Sequence, residues 1–143
     1  MADPRNAVVF DGIGYQAETY IIDNETIVYD ADEPGGSEAV GLAVSVVLGS
    51  TVGLAADGEP VLGKLILVES DGKAVVQTGG YCELPGGEAA TLTLGAAIVG
   101  AEDAESAPGY IRTADSTTAA ELALCAHKII DADDATAVIV KLT

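Results

Sequence analysis

Residues 61–80, VLGKLILVESDGKAVVQTGG, constrain the fold more than any other stretch of this chain. Two apolar runs rich in β-branched residues flank Ser70-Asp71-Gly72. Asp-Gly between such runs is the strongest short-range signal for a β-hairpin, because glycine adopts the positive φ that the turn requires. The first run is almost continuously apolar, which predicts a strand covered on both faces or nearly so. We expect Gly79-Gly80 to end the hairpin, and other segments to cover it, since a lone hairpin is marginally stable in water.

The other apolar or β-branched segments are short and are separated by turn residues. Only residues 116–126 have a helical pattern, with Thr118 and Glu121 spaced as in a capping box. Many short strands and one small helix predict a mainly-β fold, a small β-barrel or β-sandwich with one short helix near the C-terminus. Outside the central hairpin, the predicted strands are residues 7–10, 19–22, 26–29, 43–48, 51–55, 81–84, 91–94, 96–99, 110–112, 128–130 and 136–142.

The clearest break in the chain is Asp32-Glu33-Pro34-Gly35-Gly36-Ser37, which is rich in residues that interrupt regular structure. It follows an acidic opening segment. We therefore predict two parts, an extended N-terminal arm (residues 1–38) and a β-rich domain (residues 39–143). Terminal segments are poorly ordered unless something holds them, so we expect the arm to contact a neighbouring chain.

The chain carries 23 acidic and 6 basic residues, a formal net charge of −17 over 143 residues. No basic residue occurs between Arg5 and Lys64. A field of this sign repels phosphate, so the composition argues against direct binding to DNA, RNA or an anionic membrane. The simplest interpretation is a solvated acidic surface, and the sharper one is a partner with a basic or mixed surface.

The N-terminal sequence MADPRNAVVF lacks the regions of a signal peptide, and no apolar run is long enough to span a membrane. We therefore expect synthesis in the cytoplasm. The two cysteines, Cys82 and Cys125, are far apart in sequence and match no metal or redox spacing. Buried free thiols are expected, with a disulfide between them as the alternative.

The single histidine, His127, follows Cys125 by two residues. On a strand the two side chains would share a face, whereas on a helix they would point apart. No Asp or Asn is placed by sequence to orient the imidazole ring. We therefore predict an ordinary surface or rim histidine and no catalytic dyad.

Two acidic turns resemble the start of a calcium-binding loop. In residues 131–142, Thr136 stands where that loop needs glycine and Leu142 where it needs glutamate. In residues 30–41, the last position is Gly41. Both stretches are therefore predicted to be polar turns and not metal sites.

Two further motifs resemble cofactor-binding signatures. Residues 12–17 match GxGxxA, but strand-like residues follow, instead of the helix whose N-terminus would bind a pyrophosphate. Residues 69–74, ESDGKA, resemble the lipoyl-domain signature, in which a lysine at a hairpin tip carries the cofactor. Here Gly72 separates the acid from Lys73, which moves the lysine off the tip. A lipoyl-like carrier domain remains an alternative, and no cofactor is predicted.

Short turn and core motifs follow one another through most of the chain. In order they are TVGLA (51–55), DG (57–58), VLGKL (61–65), VE and DG (68–69 and 71–72), VQTGGY (76–81), LPGG (84–87), LTLG (92–95), IVG (98–100), GYIR (109–112), the Ala-rich predicted helix and VIVKL (138–142). This order resembles the head decoration, or capsid cement, proteins of tailed bacteriophages, especially those that infect actinobacteria. The resemblance covers residues 38–143 and extends less specifically to the opening segment.

The resemblance implies a compact β-rich structural protein on the outer surface of the expanded capsid. It implies a homotrimer that bridges major capsid protein subunits and stabilises the head, with no active site. The expected partners are therefore the major capsid protein and further copies of the chain, with no direct nucleic-acid or membrane contact, and the expected location is the virion. No catalytic, cofactor-binding or metal-binding residue is predicted. Besides the lipoyl-like carrier, the alternative is another phage structural module, such as a tail or head-fibre component.

Overall fold

A computed structural model describes residues 14–115 and 127–142, and these residues form a mainly-β structure, as the sequence predicts. The helical structure among them is one short 3₁₀ turn, Pro34–Gly36. The predicted strand at residues 7–10 and the predicted helix at residues 116–126 lie outside the described residues. The strands are β1 (Gln16–Ile22), β2 (Ala43–Leu48), β3 (Thr51–Leu54), β4 (Gly63–Val68), β5 (Lys73–Leu84), β6 (Ile98–Glu102), β7 (Pro108–Thr113), β8 (Lys128–Asp131) and β9 (Val138–Leu142).

Five of the strands close into a small barrel. Their order is β1-β3-β2-β4-β5, and β5 pairs back with β1. β1 is parallel to β3, and the other neighbouring pairs are antiparallel. Closure satisfies the backbone groups that an open sheet leaves along its two edges. The barrel core is built from small and branched side chains: Ile22, Ile27, Ala39, Val44, Val52, Leu65, Val68, Ala74 and Val76.

The predicted central hairpin is confirmed as β4 and β5. Val68 pairs with Ala74 next to the turn, and both side chains are buried. Gly72 has a φ of 82°, and the N–H of Glu69 donates to the carbonyl of Lys73 at 2.8 Å. The positive φ is the conformation for which the turn needs glycine.

β5 is longer than predicted, since it continues through Gly79-Gly80 to Leu84. Up to residue 79 it pairs with β1 and β4, and from Gly80 onward it pairs with β9. The buried side-chain amide of Gln77 donates to the carbonyls of Gly79 (3.1 Å) and Tyr81 (3.0 Å), where the pairing changes. The prediction that the glycines end the strand is wrong, because the backbone groups at this point keep hydrogen-bond partners.

A second group of strands, with its own buried core, packs around the C-terminal end of β5. The end of β5, β9 and β8 pair side by side, which confirms the strand predicted at residues 128–130 and most of the strand predicted at residues 136–142. The β6–β7 hairpin joins them through isolated bridges. Ala43 and Ala55 pack into this second core, whereas Val44 packs into the barrel. The full set of buried residues in the second core is Ala43, Ala55, Val61, Cys82, Leu84, Ile98, Ile111, Ile129, Val138, Val140 and Leu142.

The segment predicted as an N-terminal arm contributes to the barrel. β1 closes the ring between β3 and β5, and the side chains of Ile22 and Ile27 are buried in its core. Residues 16–27 therefore belong to the barrel and do not extend from it as an arm. Residues 1–13 of the predicted arm lie outside the described residues.

Two predicted strands do not form. Residues 26–29 and 91–94 have no regular pairing, although Ile27 is buried. At the second site, the N–H of Thr93 donates to the hydroxyl of Thr113, and the N–H of Thr113 donates to the carbonyl of Thr91. These isolated bonds hold the segment beside β7 without a ladder. Conversely, β6 extends to Glu102, three residues beyond the strand predicted at residues 96–99.

Candidate partner-binding surface

His127 is buried and not at the surface as predicted, with 9% of its area exposed. Burial lowers the pKa of His127, an effect partly offset by hydrogen bonds with the backbone of Val61 and Leu62. The ring thus connects the start of β8 to the segment that leads into β4. Cys125 lies outside the described residues, so the sequence pair Cys125 and His127 has no described geometry.

Both acidic turns accept hydrogen bonds from their own backbone. The carboxylate of Asp131 accepts from the N–H of Asp133 at 3.0 Å, and that of Asp30 accepts from the N–H of Asp32 at 2.9 Å. Asp134 accepts from both the N–H and the hydroxyl of Thr136, and these bonds lower the pKa of Asp134. The geometry is that of the polar turns predicted from the sequence.

The described parts of the two cofactor-like motifs are turn or irregular residues that lead into the first residues of a strand. Lys73 is the first residue of β5 and pairs with Ile21 of β1, so it lies beyond the turn, as the position of Gly72 predicts. Its ammonium group is 3.5 Å from the carboxylate of Asp71. In the GxGxxA motif, Gly14 directly precedes β1 and not a helix.

Cys82 is a free and buried thiol on β5, as expected. Burial raises the pKa of Cys82 to about 12. A thiol with this pKa is protonated at neutral pH and is a poor nucleophile.

A cleft of about 940 Å³ lies beside β6 and β7. Arg112 crosses part of it, and its Nε donates to the carboxylate of Asp57 at 2.9 Å. The charged residues that line it are Asp57, Glu88, Glu102, Asp103, Arg112 and Asp115. This lining repels anionic ligands. Within residues 14–115 and 127–142, no group of three His, Cys, Asp or Glu side chains is arranged to hold a metal ion.

The most unusual surface is the tip of the β2–β3 hairpin, defined here as residues 45–50. Three consecutive apolar side chains are exposed there, Val46 by 51%, Val47 by 59% and Leu48 by 79%. Ile21 of β1, which pairs with Thr51, is also about half exposed. Contiguous exposed apolar residues on a soluble domain commonly mark a contact with another macromolecule.

The tip is also uncharged. Residues 39–56 contain no charged side chain, on a chain whose net charge is −17. Another acidic chain can therefore approach this part of the surface without bringing like charges together. This applies to a second copy of the protein as well as to a different partner.

One edge of the tip has an open backbone. β4 pairs with β2 only at Ala43 and Val44, and the carbonyl of Val44 accepts from the N–H of Leu62. Successive residues of a strand present their backbone groups to alternate sides, so those of Val46 face the same side as those of Val44. No strand among the described residues pairs with residues 45–48 on that side.

Hydrogen bonds from the turn after β1 hold the end of β3 that is remote from the tip. The hydroxyl of Thr26 accepts from the N–H of Leu54 at 2.8 Å and donates to Asp23 at 2.6 Å. Asp23 also accepts from the backbone N–H groups of Glu25, Thr26 and Ile27. Burial alone would raise the pKa of Asp23, but these hydrogen bonds outweigh it and lower the pKa. The tip therefore projects from a fixed base, which reduces the entropy cost of binding.

The sequence predicts the strand at residues 43–48 but not that its end is exposed. The available signals are the absence of charge over residues 39–56 and the three apolar residues in succession at 46–48, where a half-buried strand would alternate. Neither signal locates the open edge, because that depends on where β4 stops pairing with β2.

Comparisons with protein-family models, curated proteins and solved structures found no match to this chain. Within the described residues, no helix is long and apolar enough to cross a membrane.

Proposed function

We propose that this chain is a structural virion protein that binds the outer surface of a phage capsid. It bridges major capsid subunits and stabilises the expanded head, and it acts as a homotrimer without catalysing a reaction. The exposed, uncharged tip of the β2–β3 hairpin carries this proposal, because contiguous exposed apolar side chains commonly mark a contact with another macromolecule.

The capsid as partner comes from the order of motifs between residues 51 and 142, which resembles that of capsid decoration proteins. Two physical features support it. The acidic surface keeps the protein soluble before assembly and disfavours contact with packaged DNA. Copies arrayed on a shell bind with avidity, so that a tip of this small size suffices for each contact.

The lipoyl-like alternative has less support. A carrier lysine must swing freely at a hairpin tip, whereas the backbone of Lys73 is paired with that of Ile21, and its side chain lies near Asp71. Expression with a lipoyl ligase, followed by intact-mass measurement, tests this alternative. A lipoylated Lys73 would favour it over the capsid proposal.

The test of the capsid proposal is electron microscopy of phage heads prepared with and without the protein. Extra density on the outside of the shell is expected only in its presence. Density confined to the tail or to a head fibre would instead favour the other phage structural module.

A matched pair of variants links this binding to the tip. Leu48→Lys and Leu94→Lys each add one positive charge at an exposed leucine, Leu94 being 64% exposed and outside the tip. We expect Leu48→Lys to reduce occupancy of the heads at least tenfold and Leu94→Lys to leave it unchanged. Equal occupancy for both variants would show that the tip does not bind the shell.

A further inference from the structure

An open groove of about 580 Å³ lies at the turn between β4 and β5, outside the hairpin tip. One wall is the loop of residues 29–36, and the other is the end of β4 with its turn, residues 67–71. Tyr29 and Leu67 line the groove, and each is 38% exposed. Large apolar side chains that are open to water within a groove commonly mark a contact with another molecule.

Backbone contacts hold the walls of this groove in place. The N–H of Asp30 donates to the carbonyl of Gly36 at 2.8 Å, which closes the loop on itself. Gly36 also approaches β4 so closely that a Cβ atom there would overlap the carbonyl oxygen of Val68. The ring of Tyr29 lies beside Gly36. A preformed groove loses little conformational entropy when it is filled.

The rim of the groove is acidic, and its charged residues are Glu33, Glu69 and Asp71. The ammonium group of Lys73 is 3.5 Å from the carboxylate of Asp71 and offsets that charge. Within the described part of the chain, no basic side chain forms an ion pair with Glu33 or Glu69. Acids alone would not distinguish this place on so acidic a protein, but their position around an apolar floor does.

Tyr29 also lines an adjoining hollow of about 280 Å³. The charged residues of this hollow are again acids, namely Glu25, Asp30 and Glu38. One exposed aromatic ring is therefore shared by two hollows with acidic rims. Aromatic faces attract cations, and the planar guanidinium of arginine stacks on them especially well.

These features fit a basic side chain. The aliphatic stem of an arginine or a lysine can lie against Tyr29 and Leu67 while its charged head reaches the acids of the rim. We infer that the groove between residues 29–36 and 67–71 binds a basic side chain, arginine above all, of a partner polypeptide. A nucleic acid or an anionic lipid is disfavoured there, because the rim repels phosphate.

The groove lies at the same end of the barrel as the hairpin tip. Ile21 pairs with Thr51, next to the tip, and with Lys73, next to the β4–β5 turn. A single partner that presents an arginine beside an apolar patch can therefore contact both places. The inference goes beyond the proposed function, since the groove requires a basic side chain and not a capsid.

An NMR titration of the isotope-labelled protein with a short peptide tests the inference. The probe is the capped peptide Ala-Arg-Ala-Arg-Ala, whose two arginines share one face when it is extended. The control peptide carries citrulline for arginine, which keeps the shape and removes the charge. We expect the arginine peptide to shift the amide signals of residues 29–36 and 67–71 until they saturate, and the citrulline peptide to leave them unchanged. Equal shifts with both peptides, shifts spread evenly over the acidic surface, or no shifts would overturn the inference.

Two double variants separate the groove from the net charge. Glu33→Gln with Glu69→Gln removes two charges from the rim, whereas Glu83→Gln with Glu105→Gln removes two at exposed positions that line neither hollow. The first is expected to weaken peptide binding about fivefold and the second to leave it nearly unchanged. Equal weakening by the two would show that the peptide responds to net charge alone.

The aromatic contact has its own pair of variants. Tyr29→Phe keeps the ring, and Tyr29→Leu keeps only an apolar side chain. We expect the leucine variant to bind the peptide about threefold more weakly than the parent and the phenylalanine variant to match the parent. Equal affinity of all three proteins would contradict the contact with Tyr29. Peptide binding by a protein that does not coat heads would remove the proposed function and leave this inference standing, whereas coating without peptide binding would do the reverse.

Discussion

The base and the tip of the β2–β3 hairpin are built from similar residues but lie in opposite environments. At the base, Ala43 and Val44 are completely buried, one in each core. At the tip, Val46, Val47 and Leu48 are more than half exposed. Burial explains the apolar residues of the base, because removing them from water stabilises the fold. It does not explain those of the tip, which gain the same free energy only when another chain covers them.

The largest effect is expected from adding a methyl group at the base. Gly63 pairs with Val44, and a Cβ atom there would overlap the carbonyl of Gln77 on the adjacent strand. Backbone atoms cannot move aside without breaking the barrel ladder. Gly63→Ala is therefore expected to lower the free energy of unfolding by roughly 3 kcal/mol or more, as measured by urea denaturation. A loss below 1 kcal/mol would show that β2 and β4 are not held in this register.

A second pair of variants compares the two regions directly. Val44→Ala removes two buried methyl groups and leaves a small cavity, so we expect it to cost about 2 kcal/mol in the free energy of unfolding. Leu48→Ala removes exposed atoms and is expected to change it by less than about 0.5 kcal/mol. Equal losses for the two variants would mean that the tip is buried within its own chain and is not a binding surface.

A smaller loss than that for Val44→Ala is expected when the hydrogen bonds between the turn after β1 and the hairpin are removed, and this loss depends on pH. Asp23→Ala removes the acceptor for Thr26 and its neighbours and is expected to cost about 1 kcal/mol at pH 7, since the carboxylate is partly solvated. The pKa of Asp23 is lower in the folded protein than its ordinary value of 3.8. The folded state therefore gains from the charged form above pH 3.8, and this gain is lost as the pH falls through the folded-state pKa.

The difference in stability between the parent and Asp23→Ala should accordingly shrink in denaturation experiments below pH 3.8. Asp131→Ala is a suitable control, because Asp131 also accepts a hydrogen bond from a nearby backbone N–H but lies on β8, which pairs with neither strand of the β2–β3 hairpin. If the difference in free energy of unfolding between the parent and Asp23→Ala stays constant across the acid range, the ionised carboxylate of Asp23 does not stabilise the hydrogen bonds to Thr26 and its neighbours.

Local chemistry made part of this structure predictable from sequence. The turn at Gly72 and the two arms beside it depend on residues adjacent in the chain, and that hairpin is confirmed. Residues 81–84 are predicted as a strand, but the continuity of β5 across Gly79-Gly80 depends on pairing with β9, more than fifty residues later, and local sequence does not predict it. The same holds for His127, whose burial requires contact with Val61 and Leu62. Long-range pairing, and not local propensity, decided each of these features.

The candidate surface was only half predictable for the same reason. The strand at residues 43–48 follows from its β-branched residues, whereas the exposure of its last three follows from the separation of β4 from β2 after Val44. Residues 19–22 were likewise expected to form a strand, but their place in the barrel depends on pairing with β3 and β5.

The most direct measurement is a cryo-electron microscopy map of heads carrying the protein, at a resolution that shows side chains. We predict that Val46, Val47 and Leu48 are covered by another polypeptide, either a neighbouring copy or the shell itself. A map in which the protein is bound while all three side chains face solvent would contradict the assignment of the hairpin tip as the binding surface.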